Sequence, residues 1–158
     1  MKLIIKKKVT KKKLEKFLSF IKGDVFQSNA KIYNPPWKYM GLKNFKFYFL
    51  MSKKEIIGSL VILNTLYSNH LSFFYIIRNK RNKGLGAKFL KKIFIDKTTK
   101  NLKTVHVNKK LRKAIKFYQK NNFFISNKKE NTLVKKWVIR CLAFDKMTFK
   151  NRYLMIFN

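Results

Sequence analysis

Apolar residues predominate over three neighbouring stretches in the middle of the chain, residues 44–52, 56–66 and 71–77. Each stretch has the length of a strand, and the polar segments "KKE" and "YSNH" separate them. Strand-length runs joined by such short turns predict an antiparallel meander. A further strand is predicted near the start of the sequence, over residues 2–9.

Elsewhere the apolar residues recur every three or four positions, which is typical of amphipathic helices. Three helices are predicted, over residues 11–22, 84–97 and 109–121. Thr10 is the expected N-cap of the first helix and Gly23 its end. The segment "KTVHV" between the second and third helices predicts a strand, and residues 123–126 and 132–140 predict a closing hairpin.

The order of these elements is strand, helix, three-stranded meander, helix, strand, helix and hairpin. It predicts a single domain of the α/β (α+β) class, with a mixed, mostly antiparallel central sheet flanked by helices. The 158 residues, 46% of them apolar, are enough to fill one hydrophobic core. Pro35 and Pro36 exclude a regular helix between the first helix and the meander.

The charge of the chain is extreme, because 39 Lys and Arg residues face only 6 Asp and Glu, a formal net charge of +33. Such a surface attracts polyanions, which include nucleic acid, acidic proteins and anionic membrane surfaces. A solvated basic surface without a specific partner is the alternative. The mostly apolar run over residues 56–67 is shorter than the roughly 20 residues of a spanning helix. With no secretory signal at the start, a cytoplasmic protein is expected.

Cysteine and histidine are scarce, which limits the chemistry. Cys141 is the single cysteine, so an internal disulfide and a site of several thiolates are excluded. His70 and His106 are the only histidines. No metal is therefore expected.

Two of the five glycines, Gly84 and Gly86, lie between the third strand of the meander and the second predicted helix. Without side chains there, the backbone N–H groups of residues 82–87 can converge on a diphosphate, and the helix start adds partial positive charge. Five cations would reinforce this anion site or would form a solvated surface: Arg78, Lys80, Arg81, Lys83 and Lys88.

Two motifs in this region resemble those of the GNAT superfamily of acyl-coenzyme A N-acyltransferases. The cofactor motif R/Q-x-x-G-x-G/A is matched by residues 81–86, after the strand end Ile76–Ile77 and before Leu90 of the helix. The segment "AIKFYQKNNF", residues 114–123, matches a second family motif, with Asn122 where Gly is usual. Asn retains access to left-handed backbone angles. The resemblance covers residues 1–137, so residues 138–158 form a C-terminal extension, an added strand pair packed on the same domain or a partner-binding element.

The resemblance implies that acetyl-coenzyme A is the co-substrate of an N-acetyltransferase. The residues that would bind it are the strand end, the glycine turn and one asparagine further on: Ile76, Ile77, Arg78, Arg81, Asn82, Lys83, Gly84, Leu85, Gly86, Ala87 and Asn108. The backbone of residues 75–78 would polarise the thioester carbonyl. Tyr118 matches the family's general acid, and its alternative role is that of a core tyrosine.

The base is less clear, because no Glu occurs between Glu55 and Glu130 where the family often has one. His70, His106, Tyr75 or ordered water would have to replace it. Leu111 also departs from the family, which frequently has Asn there. Asn108 is the nearest substitute for contacting pantetheine, although it can instead only cap the helix.

The acceptor amine is predicted from the charge. A polycationic acceptor would want an acidic pocket, which this chain has almost no acids to build. An amine associated with nucleic acid or with a nucleoprotein fits better. Tyr33, Trp37 and Tyr39 are available to stack on bases, or they form a hydrophobic lid on the core. A catalytically inactive, GNAT-like protein that binds nucleic acid through its basic surface is the alternative function.

Overall fold

The structure, a computed structural model, describes residues 4–6, 45–52, 55–65, 68–95, 102–126 and 151–157, with the side chains from residue 45 onwards. These residues include one sheet of seven strands. In chain order these are β1 (Ile4–Lys6), β2 (Phe45–Ser52), β3 (Glu55–Asn64), β4 (Ser68–Ile76), β5 (Leu102–Asn108), β6 (Phe123–Ile125) and β7 (Arg152–Phe157).

The strands lie in the order β1-β2-β3-β4-β5-β7-β6. The pair β4–β5 is parallel and the other neighbouring pairs are antiparallel. The predicted meander is thereby confirmed as β2, β3 and β4, because each strand is joined to the next by a short connection. The predicted fold, a mixed and mostly antiparallel sheet with helices, is confirmed as well.

Two helices, α1 (Leu85–Ile93) and α2 (Arg112–Gln119), are described, together with a 3-10 turn over Arg78–Lys80. Both helices pack on the same face of the sheet. The ring of Phe74 in β4 lies 6.2 Å from that of Phe89 in α1 and 5.7 Å from that of Phe117 in α2. Both helices are shorter than predicted, and the helix predicted over residues 11–22 lies outside the described residues.

The core lies on both faces of the central strands. Fully buried side chains come from β2, β3, α1 and β7, and include Phe49, Leu50, Leu60, Phe89 and Met155. Gly58 of β3 marks the closest approach. A Cβ built on it would lie 2.6 Å from Cδ1 of Ile76 and 3.0 Å from the carbonyl oxygen of Tyr75. Only glycine lets the end of β4 lie this close to β3.

The C-terminal part of the sheet contains a pairing that was not predicted. Strand β6 pairs with β7, in the register Phe123↔Phe157 to Ile125↔Met155. The other edge of β7 pairs with β5, from Thr104↔Ile156 to Asn108↔Arg152. Residues 132–140, the predicted partner of β6, lie outside the described residues. A segment predicted to lie beyond the family's usual end therefore contributes an internal strand.

Within the described residues, no helix is long and apolar enough to cross a membrane.

Candidate active site

The parallel strands β4 and β5 pair over only part of their length. Their register runs from Ser68↔Leu102 to Leu71↔Val105. Beyond this point β4 remains paired with β3 as far as Ile76, and β5 remains paired with β7 as far as Asn108. Each strand thus continues along its other neighbour, and a gap opens between them. We call this gap the β4–β5 opening.

A β-bulge lies in β4 where the opening begins. Leu71 pairs with Ile62, whereas Phe73 pairs with the adjacent residue Val61, so Ser72 is the extra residue. Its hydroxyl donates to the carbonyl of Val61 over 3.2 Å. Because the bulge shifts the alternation by one residue, Phe73 and Tyr75 lie on the same face of the sheet as His70.

The glycine turn follows the end of β4. Gly84 is the N-cap of α1, with a left-handed φ of 69°, and Asn82 also has a positive φ, 61°. No amide from residue 82 to residue 87 donates to a backbone carbonyl in the described part of the chain. These consecutive amides and the start of α1 form the kind of site that binds a phosphate or diphosphate. The turn therefore fits the anionic part of coenzyme A.

The two glycines of this turn are under different structural constraints. A Cβ on Gly84 would meet no atom within 4 Å, so its backbone angle, rather than a lack of space, requires glycine. A Cβ on Gly86 would lie 3.5 Å from the rings of Phe74 and Phe117, an ordinary contact distance. Side chains at position 86 would therefore point towards the aromatic cluster under the helices.

Arg81 is oriented back towards the sheet. Its Nε donates to the carbonyl of Ile76 over 2.7 Å, and its guanidinium carbon lies 5.1 Å from the ring centroid of Tyr75. Most of the other cations predicted around the turn, Arg78, Lys83 and Lys88, are exposed, and Lys80 is half-buried. Ile76 and Ile77 are buried, while Leu85 and Ala87 are half-buried.

Tyr118 of α2 is buried on the helix-covered face of the sheet. Its ring makes edge contacts with Phe117 at 5.3 Å and with Phe123 at 5.5 Å. Burial raises the pKa of the Tyr118 phenol above its ordinary value. The phenol is therefore protonated at neutral pH and able to donate a hydrogen bond or a proton.

His70 and His106 lie together on the opposite face. The centroids of their rings are 4.9 Å apart. Both are buried, His70 in the paired part of β4 and His106 on β5, immediately beyond its last residue paired with β4. Burial lowers the pKa of His70 well below its ordinary value, and the neighbouring His106 and Arg152 lower it further. The His70 imidazole is therefore neutral at neutral pH.

Hydrogen bonds with hydroxyl groups determine which ring nitrogen of His70 carries the proton. The Thr104 hydroxyl lies 2.9 Å from His70 Nδ1 and donates to the hydroxyl oxygen of Ser68 over 3.3 Å. Because a hydroxyl has one proton, Thr104 accepts from Nδ1–H of His70. The neutral ring then keeps its lone pair on Nε2. The chain of hydroxyls continues to Thr65, whose oxygen lies 3.3 Å from that of Ser68.

Arg152 is a residue of this region that the sequence did not predict. It is half-buried at the start of β7, where it pairs with Asn108 and lies close enough to His70 to influence its pKa. No local motif marks it, because only the pairing of β7 with β5 brings it to the histidines.

The two predicted asparagines have clear backbone roles. Asn108 Oδ1 accepts from the amide of Lys110 over 2.9 Å, which stabilises the turn before α2. Asn122 has φ 63°, so the prediction that it takes left-handed angles in place of glycine is confirmed. Tyr33, Trp37 and Tyr39 lie outside the described residues.

The comparisons with known proteins agree with this geometry. Residues 5–138 match the family model described as an acetyltransferase (GNAT) domain. No curated protein matches the chain by sequence. Among solved structures, an acetyltransferase from Streptococcus agalactiae has a TM-score of 0.71 at 14% identity, with 98% of this chain and 97% of that chain covered.

Two further solved structures have coenzyme A or acetyl-coenzyme A bound. PaiA N-acetyltransferase from Thermoplasma acidophilum, in complex with coenzyme A, has a TM-score of 0.67 at 16% identity, covering 100% of this chain and 99% of that one. A GNAT family acetyltransferase from Elizabethkingia anophelis with acetyl-CoA bound has a TM-score of 0.53 at 14% identity, covering 79% and 78%. These likenesses show the shared fold. On the family model, which matches most of its length, the chain belongs to the GNAT acetyltransferase family and is an N-acetyltransferase.

Proposed function

We propose that the enzyme binds acetyl-coenzyme A between β4 and β5 and transfers the acetyl group to an amine associated with nucleic acid or a nucleoprotein. The main observation in support of the co-substrate site is the run of backbone amides over residues 82–87, which donate to no backbone carbonyl in the described part of the chain. They lie directly after the strand that borders the β4–β5 opening. A thioester arm in the opening and a diphosphate on the turn would be adjacent, as coenzyme A requires. The solved structures with bound coenzyme A or acetyl-coenzyme A support the choice of co-substrate.

The residues of the turn have separate proposed tasks. The backbone amides of residues 82–87 hold the diphosphate. The exposed side chains of Arg78 and Lys83 add positive charge for the remaining phosphate of coenzyme A. Ile76 and Ile77 line the strand end beside the pantetheine arm. Asn108, at the end of β5, borders the other side of the opening.

Tyr118 is the proposed acid. When bound, acetyl-coenzyme A supplies a thioester, and the departing thiolate needs a proton. The raised pKa of Tyr118 keeps that proton on the phenol until it is needed.

His106 and His70 are the proposed base. The attacking amine must be neutral, so a group near the opening has to accept a proton from it. His106 is placed where β5 leaves β4, and His70 packs against it with a lone pair on Nε2. Burial, His106 and Arg152 disfavour a lasting positive charge on His70, so its lone pair is available to the amine proton, which would then leave to solvent water.

The acceptor class is proposed from charge. Residues 68–95, 102–126 and 151–157, which build the opening and both helices, contain no Asp or Glu. A polycationic acceptor would be repelled here, whereas an amine carried by a polyanion would be attracted. The proposed location is the cytoplasm, where such acceptors occur. The alternative of an inactive binding protein is not favoured, because the turn and Tyr118 that catalysis needs are both present.

Titration calorimetry with acetyl-coenzyme A tests the co-substrate site. The wild type is expected to bind with a dissociation constant in the range of about 1 to 100 μM. Gly86→Glu, which places a carboxylate against the aromatic cluster directly beneath the amides of the turn, is expected to lose binding because that charge repels the diphosphate. Gly86→Gln, which has nearly the same shape without the charge, should retain more of it. Undiminished binding in both variants would place the co-substrate elsewhere.

A salt series with tRNA, duplex DNA and single strands tests the acceptor class. Binding through phosphates is expected to weaken steeply with salt, with a log–log slope of about −0.9 per phosphate neutralised on duplex DNA. A specific acceptor adds a component that salt changes little. Absence of binding even at low salt would refute the nucleic-acid acceptor and leave the co-substrate site unaffected.

A further inference from the structure

Arg81 lies in the cofactor motif, and its charge suggests a direct phosphate contact. Its side chain instead turns towards the strand that precedes it. Nε donates to the carbonyl of Ile76, and the guanidinium lies over the ring of Tyr75. Ile76 is the last residue of β4, and Arg81 itself lies just after the 3-10 turn. The side chain therefore joins the turn to the strand end.

The strand end is already constrained from its other side. The amide of Ile77 donates to the carbonyl of Ile57 in β3 over 3.0 Å. At Gly58 the backbone of β3 comes so close to Tyr75 and Ile76 that no side chain fits between them. Arg81 acts on the face of β4 that carries Tyr75, so the strand end is held between the neighbouring strand and the guanidinium.

We propose that Arg81 is a positioning residue, which fixes the end of β4 and the glycine turn relative to each other through its bond to Ile76. This inference rests on the proposed function, because these two segments would bind the thioester and the diphosphate of one ligand. A fixed spacing between them matters to a ligand that spans both. The hydrogen bond, rather than the positive charge, is the property that the enzyme needs.

The matched residues of the motif suit this role. Arg and Gln side chains share an N–H donor but not a charge. A phosphate ligand would need the charge, since charge-assisted bonds to phosphate are the strong ones. A donor to a backbone carbonyl needs only the N–H.

Two variants separate the charge from the donor. Arg81→Gln and Arg81→Met both remove the charge, and only Gln keeps an N–H donor of suitable length. Lys91→Gln, an exposed position on α1, is the control for loss of one positive charge. Thermal unfolding of each variant checks that the fold is intact.

Amide hydrogen exchange measures how firmly the end of β4 is held, and it needs no ligand. In Arg81→Met, exchange at Ile77 is expected to speed up about tenfold, as loss of the hydrogen bond to Ile76 implies, while amides of the central β3–β4 pairs are unchanged. In Arg81→Gln and Lys91→Gln it should stay within about threefold of the wild-type rate. Equal acceleration at Ile77 in the Gln and Met variants, or none in either, would overturn the proposal.

Affinity for acetyl-coenzyme A gives the second readout. It should fall about tenfold or more in Arg81→Met and stay close to wild type in Arg81→Gln. Equal losses in both variants would instead make Arg81 a phosphate ligand. If the wild type fails to bind acetyl-coenzyme A at all, the proposed function fails, and the exchange result still decides whether Arg81 fixes the strand.

Discussion

The two faces of the sheet differ in chemistry where β4 and β5 lie side by side. The face under α1 and α2 is aromatic, with Phe74 in contact with rings from both helices. The opposite face is polar there, since it carries two imidazoles and the hydroxyls that order them. Each face stabilises an uncharged group: burial keeps Tyr118 protonated on one and His70 deprotonated on the other.

The difference shows how one sheet can hold an acid and a base apart. A phenol in direct contact with an imidazole would donate a hydrogen bond to the lone pair that the base needs, whereas the strands keep these two on opposite faces. The β4–β5 opening is the place in the described sheet where adjacent strands separate. The proposed acid and base therefore meet only through a ligand in the opening.

The largest expected effect comes from the helix-covered face. Tyr118→Phe removes the phenolic proton but keeps the ring, so turnover should fall about 10- to 1000-fold with affinity for acetyl-coenzyme A nearly unchanged. Tyr153→Phe, at a half-buried tyrosine of β7, is the matched control and should change turnover little. Steady-state kinetics measures the turnover, and calorimetry measures the affinity for acetyl-coenzyme A. Equal loss of rate and affinity in Tyr118→Phe would make the tyrosine a packing residue.

The next effect is on the polar face and depends on pH. Since the folded-state pKa of His70 is lowered, the unfolded chain binds more protons as the pH falls below the ordinary value of 6.5. The free energy of unfolding should therefore decrease on acidification, by up to about 1.4 kcal/mol per pH unit from this group. The contribution of His70 to stability is fully present above that pH, and it is lost as the pH falls through the folded-state pKa.

The variant His70→Gln isolates this contribution, because Gln can still donate to Thr104 but does not titrate. Chemical denaturation between about pH 7.5 and pH 5 should show a shallower loss of stability in the variant. His106 and Arg152 face His70 and remain in both proteins, so their effects are common to the comparison. Parallel curves for the two proteins would show that His70 is protonated equally in the folded and unfolded states.

A smaller effect distinguishes two glycines that border the aromatic face. Gly58→Ala forces a Cβ against Ile76 and the Tyr75 carbonyl, so it should destabilise the fold by about 1–3 kcal/mol. Gly86→Ala meets only ordinary contacts and gains helix propensity, so it should be neutral or stabilising by up to about 1 kcal/mol. Urea denaturation measures both, and a reversed order would contradict the assigned spacing of β3 and β4.

The smallest expected change is at the turn. Gly84→Ala places a Cβ in the left-handed region and should cost about 1–2 kcal/mol of stability. Gly84→Asn should cost less, because Asn tolerates these angles, as it does at position 122. Denaturation curves of the two variants make the comparison, and an Ala variant as stable as the wild type would mean that the turn takes another conformation.

Local patterns predicted most of the described fold. The apolar, strand-length runs of β2, β3 and β4, the helical spacing in α1 and α2, and the glycine pair between β4 and α1 are short-range signals. Each was followed by the expected element. The order of elements and the two motifs then identified the family. The division into residues 1–137 and an extension stays a prediction.

Features that depend on distant pairing were not predictable in the same way. Alternation identifies a strand but not its partner, so β7 was not placed between β5 and β6. Arg152 joins the histidines only through that pairing. The bulge at Ser72 was missed as well, because β4 has no regular alternation of polar and apolar residues in which an extra residue would be visible.

The structure also changes the explanation of why certain residues occur at their positions. Gly84 was predicted to leave room for a ligand, and its backbone angle proves to be the stronger constraint. Arg81 was predicted from its charge, whereas the structure shows its hydrogen bond to Ile76. A sequence specifies which residue type is present, and only the surroundings specify which of its properties is used.

The position of β7 has a consequence for the order in which the protein folds during synthesis. The strands β2, β3 and β4 pair with neighbours in sequence, so this half of the sheet can form early. Strand β5, in contrast, gains its second neighbour only after residues 109–151 have been made and β7 has left the ribosome. Until then the proposed base on β5 borders an incomplete sheet, and the loop that must close is long. The half of the site that contains His106 is therefore expected to mature last.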